Sequence, residues 1–183
     1  MIPGRNAMTD NALNNNSMTK NAMTDKAMTD KFMQEATAEA EEGMKNNEGG
    51  PFGAIIVRNG RIVGKGHNQV LKNNDPTCHA EMQAIRDACR KAGTYDLSGC
   101  VLYTSCYPCP MCMSAAIWAN IKIVYYGNTR KDAASIGFRD DHIFHFIETG
   151  CHDKKVLELK GRDRESTEVT FSEFMQKQDK KIY

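Results

Sequence analysis

The chain has 183 residues, enough for one domain with a buried core, or one domain and a tail. Apolar residues make up 40% and charged residues 26%, and a net charge of +1 gives no global field for a nucleic-acid backbone or an anionic membrane. No run of 18 apolar residues and no apolar N-terminal signal region is present, so a cytoplasmic chain with reduced thiols is expected. Seven cysteines then need a reason other than disulfides. Cys106, Cys109 and Cys112, spaced three apart, point to metal.

The first residues carry a five-residue unit, seen in Ala22-Met23-Thr24-Asp25-Lys26 and again in Ala27-Met28-Thr29-Asp30-Lys31. That period drifts by about 140° per unit on a helix, so its methionines form no stripe to bury. Residues 1–27 are therefore expected to be a low-complexity leader, disordered or weakly helical. Residues 28–183 are expected to form the domain. Phe32, Ala36, Ala40 and Met44 recur every four residues and predict an amphipathic helix, ended by Gly49-Gly50-Pro51. Strands are predicted at 54–58 and 61–66 around the hairpin signal Asn59-Gly60. Asn73-Asn74-Asp75-Pro76 launches a helix over 77–92. A strand at 101–104, a helix over 108–119 and a strand at 121–126 follow. Trp118, on that second helix, is expected to pack against the sheet. A final helix is expected over 167–177. The alternation implies an α/β fold with helices on both faces of one sheet.

Two segments carry the chemistry, His79-Ala80-Glu81 and Pro108-Cys109-Pro110-Met111-Cys112. Cys109 and Cys112 share a helix face. His79 and Glu81 stand roughly 200° apart around a helix, and reach one point only at a helix mouth. Two helix N-termini can thus converge on one spot, each with free N–H groups that favour thiolate. Two thiolates and one imidazole make a three-ligand Zn²⁺ site with an open fourth position, the catalytic pattern. Metal there lowers the pKa of a coordinated water to roughly 7. Glu81, beside that water and not a ligand, can move its proton. A closed structural site would need Cys106 or Cys78 as a fourth ligand, and would leave Glu81 without a task. An iron–sulfur run would need a cysteine at position 116, which is alanine.

His-x-Glu followed by Pro-Cys-x-x-Cys is the signature of zinc nucleobase deaminases. The chain over about 32–140 resembles the cytidine deaminase-like superfamily, and within it the bacterial-type guanine deaminases. The resemblance is carried by Gly50-Pro51-Phe52-Gly53-Ala54, Asn74-Asp75-Pro76-Thr77, Tyr103-Thr104-Ser105-Cys106, Asp132-Ala133-Ala134 and Gly137-Phe138-Arg139-Asp140. It implies a three-layer α-β-α sandwich around a mixed, roughly five-stranded sheet. It also implies conversion of guanine and water to xanthine and ammonia, with zinc on His79, Cys109 and Cys112 and Glu81 as proton shuttle. By the same resemblance the Ala80 N–H lies near the attacking oxygen. Asn68 hydrogen-bonds the base, Phe52 lines its face and Asp140 accepts from its polar edge. Tyr183 arrives on a C-terminal segment that closes a site, possible across a homodimer.

Many relatives carry Glu where this chain has Tyr107, and 141–165 matches poorly. Cytosine, guanosine or triazine rings remain as alternative substrates. Transfer-RNA adenosine is a further alternative, but from Lys160 onward six Lys or Arg face five Asp or Glu, too even for a phosphate-binding patch. A silent zinc-stabilised binding partner is the reading from another class, and the presence of Glu81 speaks against it.

Overall fold

The computed structural model describes residues 7–182, with side-chain surroundings from Asp25 onward. Helix α1 (Ala7–Lys45) is followed by β1 (Gly53–Arg58), β2 (Arg61–His67), α2 (Val70–Asn73) and α3 (Ala80–Ala92). Then come β3 (Val101–Cys106), α4 (Pro110–Trp118), β4 (Ile123–Asn128), α5 (Arg130–Ser135), α6 (Asp140–Glu148) and α7 (Arg164–Gln176). α1 carries helix back through residues 7–27, the stretch expected as the leader. None of the helices searched is long and apolar enough to cross a membrane.

Among the described residues the sheet has four strands in the order β2-β1-β3-β4, one fewer than the roughly five expected. It is mixed: β1 pairs antiparallel with β2 and β3, whereas β3 and β4 run parallel. Strand β1 explains the three layers. Its side chains alternate between faces, and both faces are buried. Ala54 and Ile56 join α3 residues Ala80, Ala84 and Ala88 in one core. Ile55 and Val57 join Phe32, Ala36 and Tyr103 in the other, beneath α1. Burying each isoleucine contributes about 1.5–3 kcal/mol. α3 lies so close to β2 that side chains at Gly64 and Gly66 would meet its backbone: a Cβ on Gly64 would sit 2.5 Å from the Ala84 carbonyl.

Two packing expectations are corrected. Met44 is 47% exposed, and Gly43 takes the last buried place on α1. Twelve residues turn a helix by about 120° beyond whole turns and eleven by about 20°, so the four-residue spacing had rotated off the face. Trp118, at the end of α4, is 66% exposed, whereas Cys112 and Ala116 are the buried residues of that helix.

Candidate active site

His79 and Cys109 are the N-caps of α3 and α4, each in extended backbone conformation. Glu81 and Cys112 follow in the first turns. The ligand atoms of His79, Cys109 and Cys112 all lie within 4.8 Å of one another. Nδ1 of His79 is 3.6 Å from Sγ of Cys109. Tetrahedral zinc with its usual bond lengths separates such atoms by about 3.3–3.8 Å, so the donor set fits that metal. These three are the only such cluster among the described residues. Cys78 instead donates to Asp75 at 3.2 Å. Cys106 donates to the Thr129 carbonyl at 3.7 Å, and burial pushes its thiol up to about 11. Neither closes the site as a fourth ligand.

Charge in the cluster is unevenly shared. Hydrogen bonding from the Cys112 thiol, and then from His79, brings Cys109 down to about 4. Cys112, donor in that bond and buried, is pushed up. The hydrogen bond to Cys109 also raises His79. Glu81 is 6% exposed. Its burial raises its carboxyl above the usual range, and Thr104 on β3 donates to Oε1 at 3.1 Å. A carboxyl poised this way suits a group that takes up and releases a proton.

The cluster floors a cavity of about 490 Å³ lined by Phe52, Asn68, Phe138, Asp140 and other residues. Phe52 and Phe138 meet edge to face, ring centres 4.6 Å apart. Asn68 is buried, and its Oδ1 accepts from the N–H groups of Gly50 (3.3 Å) and Val70 (3.2 Å). Two backbone donors on that oxygen fix the amide orientation and leave the NH₂ end as a donor for the cavity. Burial first, and then nearby Cys109, raises Asp140.

Residues 26–128 match the family model of the cytidine and deoxycytidylate deaminase zinc-binding region. The chain belongs to that family. The guanine deaminase of Bacillus subtilis is 46% identical over 124 residues, covering 68% of this chain and 80% of the relative. A crystal structure of guanine deaminase from the same organism superposes with a TM-score of 0.78 at 41% identity, over 84% of this chain and 98% of that one. The tRNA-specific adenosine deaminase of Aquifex aeolicus is 44% identical over 94 residues, 51% of this chain and 62% of the relative.

In this deaminase the structure brings His79, Glu81, Cys109, Phe52, Asn68 and Asp140 to one cavity, with Cys112 in the cluster at its floor. Ala80 is buried at the first position of α3 and does not line the cavity. Tyr183 lies outside the described residues. Sequence reasoning missed the role of Phe138 as a wall residue, and Tyr107, which borders the metal helix in the sequence, also lines the cavity. Tyr107 packs edge-on against Tyr126 and at 5.9 Å from Phe144 of α6. Arg130 covers the Phe144 ring at 3.8 Å and pairs with Asp141 and Glu148. That staple holds the helix that begins with Asp140. Its signal was present in Thr129-Arg130-Lys131-Asp132, a capping box that starts α5.

Proposed function

We propose that this enzyme hydrolyses guanine to xanthine and ammonia in the cytoplasm, as a zinc enzyme. The observation that carries the reading is the single cavity in which Glu81 and the His79–Cys109–Cys112 cluster face an apolar Phe52–Phe138 wall and the polar pair Asn68 and Asp140. Zinc, held by His79, Cys109 and Cys112, supplies activation of water at neutral pH.

The chain's own residues do the rest. Phe52 and Phe138 offer apolar surface to a flat ring and exclude water. The Asn68 NH₂ donates to an acceptor on the base, and an ionised Asp140 accepts from its N–H edge. Glu81 takes a proton from the attacking water and delivers it to a ring nitrogen. It then takes the second proton, from the hydroxyl now on the attacked carbon, and passes it to the amine as the C–N bond breaks, so that one guanine and one water leave as xanthine and ammonia. The helix N-terminus that opens at Ala80 favours negative charge on the attacking oxygen.

Residues 157–182 are exposed throughout, although they carry Leu159, Phe171 and Ile182. A second subunit that receives this segment, with Tyr183 at its end, accounts for that exposure. Light scattering checks the implied homodimer.

The experiment for the reaction is an ultraviolet scan of guanine with zinc-loaded protein. Loss of guanine with appearance of xanthine, abolished by Glu81→Ala with zinc retained, is the expected result. Turnover of adenosine in transfer RNA without turnover of guanine overturns it in favour of the RNA reading. That reading has the Aquifex relative on its side. Zinc retention without any turnover favours the silent-partner reading.

A further inference from the structure

Glu48 lies outside the cavity lining, yet its carboxylate gathers the chain on both sides of Asn68. Oε2 accepts from Nε2 of Gln69 at 2.8 Å and stands 2.8 Å from Nε2 of His67. His67 and Gln69 are the immediate neighbours of Asn68. Oε1 accepts from Lys72 at 2.9 Å. The backbone carbonyl of Glu48 accepts from the N–H groups of Leu71 (3.1 Å) and Lys72 (3.0 Å). One residue therefore fixes the end of β2, the turn after it and the first residues of α2. Hydrogen bonds from Lys72, His67 and Gln69, in that order, hold the Glu48 carboxyl down at about 2, so it is a full anion at neutral pH.

The residues after Glu48 leave no slack. A side chain on Gly49 would overlap Oδ1 of Asn68 and lie 2.6 Å from its carbonyl oxygen. The N–H of the next residue, Gly50, is one of the two donors that fix the Asn68 amide. The segment 48–50 thus grips the chain around Asn68 from outside through Glu48, and from the cavity side through Gly50. The grip extends to the helix of the metal site. Gln83 of α3 donates to Oε1 of Gln69 at 2.6 Å, and Arg86 donates to Gln83 at 2.8 Å.

We propose that Glu48 is a positioning residue: it acts through Asn68, aims that amide into the cavity and thereby sets the affinity for the base. The inference rests on the reading of the cavity as a guanine site. Glu48→Gln keeps the size of the side chain but removes the charge, and puts an NH₂ group among three donors.

The test is a double-mutant cycle on the full-length, zinc-loaded protein, with Glu48→Gln made in the parent and in Asn68→Ala. In the parent background KM for guanine rises about tenfold, the scale of one misplaced hydrogen bond. There kcat changes less than about threefold, and zinc content is unchanged. In the Asn68→Ala background the same substitution changes KM less than about twofold. If that background turns over too slowly, the cycle is read as Kd for xanthine by calorimetry. Gln69→Met, which removes one donor and keeps the carboxylate, replaces Glu48→Gln if the latter does not fold, with the same expected dependence on Asn68. An unchanged KM, or a rise that persists without Asn68, overturns the positioning role and leaves the guanine reading standing. A parent that does not turn over guanine overturns both.

Discussion

The floor of the cavity and its walls are built in different ways. The floor comes from two short motifs, each at the start of one helix, so that spacing along the chain becomes geometry almost directly. The walls come from separate segments: the Gly49–Phe52 turn, the Asn68–Leu71 turn, Pro76, Tyr107, and the Phe138–Asp140 entrance to α6. Those segments meet through contacts between residues distant in the chain, such as Gly50 with Asn68 and Phe52 with Phe138. On the proposed reading, reactivity is therefore local in the sequence and selectivity is distributed.

That contrast can be broken or sharpened by experiment. The largest effect belongs to the floor. Glu81→Gln lowers kcat by about 10²–10⁴-fold with zinc content intact, since it removes a positioned proton carrier. A chelator abolishes turnover and added zinc restores it, with metal content and rate recovering in parallel. A wall substitution comes next. Asp140→Asn raises KM for guanine by about tenfold or more, because an acceptor-only group becomes partly a donor; an unchanged KM removes Asp140 from base recognition.

Smaller still is Arg130→Ala, which removes both ion pairs and the cation over Phe144. It lowers the thermal midpoint modestly, and raises KM by less than Asp140→Asn does. Equal KM effects would mean that α6 is seated by something other than this staple. The smallest is a difference in acid stability. The Glu48 carboxyl is depressed to about 2 from 4.5. Its contribution is present above pH 4.5 and is lost as pH falls through 2. Glu48→Gln therefore flattens the fall of the thermal midpoint across that window, and identical acid limbs for the two proteins refute it.

The same contrast explains what could be read in the sequence. His79, Glu81, Cys109 and Cys112 were legible because their chemistry needs neighbours two or three residues apart at a helix start. The strands around Asn59-Gly60 were legible from the turn and the apolar runs. α5 went unread because six residues are too few for a periodicity to accumulate, and α6, as long as α4, opens after Arg139 with no side-chain cap and no proline to announce it. The fifth strand was expected from family resemblance, not from any apolar run in 141–165. Asn68, Phe52 and Asp140 came from resemblance also, and only their arrival in one cavity gives them a shared setting. Glu48 carried no signal, since nothing in Asn46-Asn47-Glu48-Gly49 tells that its partners stand 19–24 residues on.

The divided thiol chemistry of β3 and α4 has a practical consequence. Cys109 tends strongly to the thiolate, while Cys106, three residues earlier on the same cavity, is held as a neutral thiol. An alkylating reagent reacts with thiolates, so after chelation it should mark Cys109 well before Cys106, and zinc should shield Cys109. Mass spectrometry of the peptide that contains both then works as an internal ruler. The ratio of Cys109 to Cys106 labelling then reads the fraction of molecules whose metal was in place when the reagent arrived.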